Sequence, residues 1–127
     1  MTFFFDNNIS FRYADMLKAL DVNVVALREV FPQNIKDDEL LKKLASSHYV
    51  FVSGDRAMRT STIEAPILKA ARITSLYFAP FWGKLQKWDQ AAWLIRRWPT
   101  IENFTQGAER GTCATVQQNG RSVPFSL

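Results

Sequence analysis

Four short apolar runs, at residues 2–5, 22–27, 48–53 and 73–78, alternate with stretches of helical periodicity, and this pattern restricts the fold most tightly. Each run is rich in aromatic or β-branched residues and too short for a helix, as in strands buried on both faces. Between the first two, Ile9, Tyr13, Met16, Leu17 and Leu20 share one helical face, while Arg12, Asp15 and Lys18 share the other. Asn8 is placed to cap that helix, since its amide can accept from the free N–H groups of the first turn. Residues 35–45 give a second helix, with Leu40, Leu41 and Leu44 on its apolar face. Its first turn holds Asp37, Asp38 and Glu39, where the helix dipole favours acids. A third helix runs to Arg72. Ser61-Thr62-Ile63-Glu64 matches a capping box, whereas Pro66 suits the first helical position, so both starts are open. A fourth helix, Lys84 to Trp98, is expected to stop at Pro99. Strands and helices in alternation mean βαβ units with right-handed crossovers. The expected architecture is α/β: a three-layer α/β/α sandwich with a central, mainly parallel four-stranded sheet.

From about Gln106 the periodicity is lost and glycines appear. Residues 112–117 and 121–126 flank Asn119-Gly120, a strong short-range hairpin signal. The expected organisation is a main domain over 1–104 and a C-terminal β-hairpin extension over 105–127, with Pro124 on an edge strand.

The 127 residues, 47% hydrophobic and 22% charged, suit one globular domain with a real core. No apolar run approaches the roughly 18 residues of a membrane span, and the first residues lack the pattern of a secretory leader. The single cysteine, Cys113, leaves no internal disulfide and no thiolate metal cluster, so a reducing cytoplasm is the expected setting. Charge is uneven: residues 1–64 carry a net −1 and residues 65–127 a net +5, with all four tryptophans in the second half. That asymmetry suits a metal-dependent enzyme acting on a polyanion, although chance accounts for it equally well on its own.

Asp6 ends the first run and Asp55 follows the third, while Asp37 and Asp38 open the second helix. In a parallel sheet, strand C-termini and the N-termini of the following helices face one edge, where ligands bind. Three segments therefore bring acids together. Like charges at close range are costly without a counterion, and hard oxygen donors suit Mg2+ or Mn2+. Each acid also has a plainer role: Asp6 as a helix cap, Asp37 and Asp38 as first-turn acids, Asp55 as a turn residue, Glu64 as half of a capping box. Their convergence favours a site.

Phe3-Phe4-Phe5-Asp6-Asn7-Asn8, Asp37-Asp38-Glu39-Leu40-Leu41 and Val50-Phe51-Val52-Ser53-Gly54-Asp55 together resemble a compact PIN-like domain. The similarity is to short PIN-like proteins, including toxins of VapC-type toxin–antitoxin modules, and spans roughly residues 2–98. It implies a metal-dependent endoribonuclease cutting single-stranded RNA, with an antitoxin protein as partner; no membrane association is expected from the composition, and a homodimer is one open assembly. It further implies that Asp6, Asp37, Asp38 and Asp55 hold Mg2+ or Mn2+, and that Ser53 is the family's hydroxyl residue two positions before the last acid. Many relatives have another acid where this chain has Ala57; Glu64 is the candidate to replace it among the catalytic residues. Asn7 and Asn8 occupy positions where relatives carry an acid or an amide.

Arg56 and Arg59 directly follow Asp55 and can hold a phosphate bidentately at the same edge, joined by Arg12 from the first helix. On the fourth helix Leu85, Trp88, Ala91, Ala92, Ile95 and Trp98 share a broad face expected to be core. Trp93 falls outside it, open to base stacking, to a partner protein or to packing on the C-terminal hairpin. Ala57 keeps a second functional class open, a catalytically inactive PIN-like domain that binds RNA or protein. A receiver-like phosphoacceptor is disfavoured, because Asp6 is followed by Asn7 and Asn8 rather than by an acid.

Overall fold

The computed structural model of the protein describes residues 1–55 and 64–127. Strand β1 (Thr2–Phe5) leads to helix α1 (Phe11–Lys18), then β2 (Val24–Ala26), the one-turn helix α2 (Leu27–Val30), α3 (Asp37–Ala45) and β3 (Tyr49–Ser53). Helix α4 (Glu64–Ala71), β4 (Ser75–Phe78), the short α5 (Phe81–Lys84), the long α6 (Lys87–Gly107), β5 (Cys113–Val116) and β6 (Ser122–Phe125) complete it. The strand order is β2-β1-β3-β4-β5-β6, parallel throughout except for the β5–β6 pair.

The four expected parallel strands form, but among the described residues the sheet has six strands rather than four. The C-terminal hairpin is no separate appendage, because β5 continues the sheet in parallel with β4 (Leu76 opposite Ala114) and β6 closes its edge. The apolar spacing of Ala114 and Val116, both fully buried, lets β5 extend the core layer. Asn119-Gly120 forms the turn, with Gly120 at φ +85° and its N–H donating to the Gln117 carbonyl at 2.8 Å. Pro124 lies in β6, the edge strand, where its missing N–H is tolerated.

The three consecutive phenylalanines of β1 show how the layers arise. Side chains alternate along a strand, so Phe3 and Phe5 enter the core under α1 and α6, while Phe4 enters the one under α3 and α4. On the first face Trp98 meets Phe3 and Phe5 edge-on, at ring separations of 4.8 and 5.6 Å. On the second, Phe4 and Phe51 pack with Leu40, Leu41, Leu44 and Leu68. Burial on both faces explains why these strands read as continuous apolar runs.

Helix α6 corrects two expectations. It does not end before Pro99 but runs through it to Gly107. A mid-helix proline costs about 3 kcal/mol, and burial of Trp98, Ile101 and Thr105 around it offsets that, with Pro99 itself on the exposed side. The extension also turns the buried stripe. Leu85 belongs to an extended break between α5 and α6, and the stripe runs through Trp93, Leu94, Trp98, Ile101 and Thr105. Trp88, expected in the core, is 88% exposed. Trp93, expected outside the face, is buried against Phe78, Phe81 and Trp82, and its indole N–H donates to the Gln118 carbonyl at 2.7 Å. Of its open roles, the hairpin contact is the one realised. No helix among the described residues is long and apolar enough to cross a membrane.

Candidate functional site

The strand order makes β1 the turning point of the sheet: the chain goes from β1 outward to β2, then returns to add β3 on the opposite side. Crevices form beyond the strand ends where the winding reverses. Asp6 directly follows β1, and Ser53 ends β3 with Asp55 two residues on, so all three lie at this switch point.

A hydrogen-bonded web fixes their order. The Asp6 N–H continues the ladder to the Val52 carbonyl at 3.0 Å, and its carboxylate Oδ1 accepts from the Asn7 N–H at 2.8 Å. Asn8 does not cap α1; Ser10 does, accepting from the Arg12 N–H at 3.2 Å. The Ile9 side chain is buried and its N–H donates to the Asp6 carbonyl, a turn that moves the helix start two residues beyond Asn8. Asn8 is thereby released to bridge β1 and β3. Its Nδ2 donates to Ser53 Oγ at 2.9 Å and to Asp6 Oδ2 at 3.3 Å, and its Oδ1 accepts from the Gly54 N–H at 2.8 Å. A backbone N–H can only donate, which sets the orientation of the amide. Ser53, itself buried, accepts from the Asp55 N–H at 3.0 Å and stands 3.5 Å from Asp6 Oδ2. Gly54 has no room for a side chain: a Cβ there would lie 2.8 Å from Trp82 Cδ1, whose ring is locked against Tyr13 and Phe78.

Burial raises the Asp6 carboxyl above its usual value of 3.8, and the charges of Asp37 and Asp55 push the same way; the Asn7 N–H and the Ser53 hydroxyl oppose them. Asp37, in the exposed first turn of α3, is therefore within electrostatic reach of Asp6. Asp38 is the half-buried neighbour of Asp37, and Glu64 heads the described part of α4. Asn7 turns away and donates through Nδ2 to the Gln33 carbonyl at 3.0 Å, tying β1 to the loop before α3. Arg12 is exposed on α1. Arg56 and Arg59, with Ala57 and Ser61, lie outside the described residues.

The donors here are carboxylate and hydroxyl oxygens, a chemistry that suits Mg2+ or Mn2+. A cation would also relieve the like charges that raise Asp6. Among the described residues, no three His, Cys, Asp or Glu side chains stand close enough to hold an ion as they are placed.

Two cavities adjoin the site. One, of about 270 Å3, is lined by Asp6, Asn7, Phe11, Arg28 and Gln33 among others. The other, of about 500 Å3, is lined by Asn8, Arg12, Lys87 and Gln90, and the two share Ser10 and Phe11. Phe11, Arg28, Gln33 and Lys87 are absent from the sequence reading. Arg28 had a usable signal, since it lies two residues past the end of β2 and hence at the same sheet edge. A third cavity, of about 220 Å3, is lined by His48, Thr74, Arg72 and Arg110 and has no carboxylate side chain in its wall.

The family described as a PIN-like domain matches residues 1–80, a span holding β1 to β4 and every acid named above. Neither a curated protein nor a solved structure matches the chain.

Proposed function

The chain belongs to the PIN-like domain family, and on that footing we propose that it is a divalent-metal-dependent endoribonuclease acting on single-stranded RNA at the β1–β3 switch point. The observation that carries this reading is Asp6: a carboxylate at the sheet's turning point, raised by burial and by Asp37 and Asp55, and oriented by Asn7, Asn8 and Ser53. Asp6, Asp37 and Asp55 would hold the ion, with Asp38 and Glu64 as further acids on the elements that flank it. Bound Mg2+ or Mn2+ supplies Lewis-acid charge for phosphodiester hydrolysis. The residues themselves do the positioning. The Asn8 amide and Ser53 hydroxyl hold one oxygen of Asp6 while the Asn7 N–H holds the other, so the carboxylate is fixed before substrate arrives. Arg12, and with it Arg56 and Arg59, would meet the phosphates. As a toxin, the protein would be held inactive by an antitoxin.

Purified protein with Mn2+ is expected to cleave single-stranded RNA, and Asp6→Asn to abolish cleavage while the fold persists. Intact RNA under those conditions removes this reading. Ala57, where many relatives carry an acid, keeps the second reading open: an inactive PIN-like domain that binds RNA or a protein. RNA affinity unchanged by Asp6→Asn, without cleavage, is its signature.

A further inference from the structure

Phe11 opens α1, is 39% exposed, and lies on the rim shared by two cavities, the smaller of which Asp6 also lines. An apolar ring at that position is not needed by the core, which α1 reaches through Tyr13, Ala14 and Leu17. Instead the Arg28 guanidinium lies over it at 4.0 Å from the ring centre, and Arg12 stands 6.0 Å away. Stacked aromatic and guanidinium planes are what proteins use to hold unpaired bases.

The smaller cavity is lined mainly by polar surface and the larger mainly by apolar surface, with Arg12 and Lys87 as the charged groups of the larger one. The first brings Arg28, Asn7 and Gln33 together with Asp6; the second brings Arg12, Lys87 and Gln90 together with Asn8. Their volumes are about 270 and 500 Å3, the first just below and the second within the roughly 300–1,000 Å3 typical of small-ligand sites. Asp6, in the wall of the smaller cavity, is hydrogen bonded through Oδ2 to Nδ2 of Asn8, in the wall of the larger one, at 3.3 Å. A chain that occupies both cavities passes their shared wall of Ser10 and Phe11, with Asp6 lining the smaller one.

We infer that Phe11, with Arg28 stacked on it, is a base platform that splits two successive nucleotides of a single strand, one into each cavity. Lys87 and Arg12 serve the phosphates of the nucleotide in the larger cavity, and Arg28 and Gln33 the nucleotide in the smaller one. This rests on the proposed action on RNA and adds where the strand lies. It also makes binding independent of the metal, because none of these groups is a metal ligand.

The test is fluorescence anisotropy with a labelled single-stranded RNA 12-mer in EDTA, where binding and cleavage are separated. Wild type is expected to bind, and Phe11→Ala to weaken binding roughly five- to 150-fold, the range for losing one base stack. Phe11→Tyr should retain affinity and Phe11→Leu should not, which distinguishes ring stacking from mere apolar surface. Arg28→Ala and Lys87→Ala should each lower the salt dependence of binding by about one unit of slope. Thermal denaturation should show all these variants folded, since Phe11, Arg28 and Lys87 are exposed. The inference is overturned by wild type that does not bind in EDTA, by Phe11→Ala that binds as wild type does, or by duplex RNA competing as well as the single strand. RNA cleavage unaffected by Phe11→Ala overturns the platform and leaves the nuclease standing. Binding lost in Phe11→Ala by a protein that never cleaves leaves the platform standing and removes the nuclease.

Discussion

Asn8→Ala is the substitution that most sharply separates the switch-point web from the surrounding core. The side chain is exposed enough that its removal opens no cavity, yet it makes three hydrogen bonds, one to Asp6 and two across to Ser53 and Gly54. Each such bond contributes about 0.5–1.5 kcal/mol net, and the Gly54 N–H can regain water. The Ser53 hydroxyl is buried but keeps the Asp55 N–H as a partner, so it loses one bond and is not orphaned. The expected destabilisation is about 1–3 kcal/mol. For 127 residues, an unfolding entropy of about 2.1 cal/mol/K per residue turns each kcal/mol into roughly 4 °C of Tm. Thermal denaturation should therefore show a fall of roughly 4–12 °C. RNA cleavage should fall much further than stability, measured at a temperature where both proteins are fully folded, because Asp6 loses one of the partners that orient it. Asn8→Asp keeps the acceptor for Gly54 but sets a like charge beside Asp6, and should cost activity and stability more at pH 7 than at pH 4. An Asn8→Ala protein with wild-type Tm and wild-type activity would refute the claim that this amide organises the site.

Three further outcomes follow from the same geometry. Asp6 has a raised carboxyl in the fold, so the folded state binds more protons just above pH 3.8 and stability falls as pH rises through that window. Asp6→Asn removes this cost, and its Tm advantage over wild type should be absent near pH 3.8, grow with pH and then level off; an advantage that shrinks with rising pH contradicts the assignment. Gly54→Ala must push its Cβ against the Trp82 ring at 2.8 Å, and overpacking of this kind costs about 1–3 kcal/mol, readable by urea denaturation. Trp93→Phe removes the indole hydrogen bond that clips the hairpin turn, and amide exchange should speed up at β5 and β6 more than at β1 and β3.

Much of this was legible in the sequence for definite reasons. The alternating burial of Phe3, Phe4 and Phe5 needs both sheet faces covered, and that requirement was visible in an unbroken apolar run. Asp6, Asp37 and Asp55 could be placed at one edge because a parallel sheet puts all its strand ends there. What was not legible depended on contacts distant in sequence. Pro99 reads as a helix stop, and only the burial of Trp98, Ile101 and Thr105 keeps α6 going past it. The exchange of Trp88 and Trp93 followed from the same extension, since a wheel centred on residues 84–98 points the buried stripe the wrong way. Asn8 reads as a cap until Ile9 claims the core and Ser10 takes over the capping. Phe11 and Arg28 lie 17 positions apart and meet only because α1 and β2 return to the same edge.

The central claim is that the carboxylates at the β1–β3 switch point hold a divalent ion through Asp6. Isothermal titration of the protein with Mn2+ tests it without reference to any substrate. A saturable heat of one ion per chain in wild type, lost in Asp6→Asn and retained in Glu102→Gln on the distant part of α6, is the predicted result. Equal heats in wild type and Asp6→Asn, or no saturable heat in either, would contradict it.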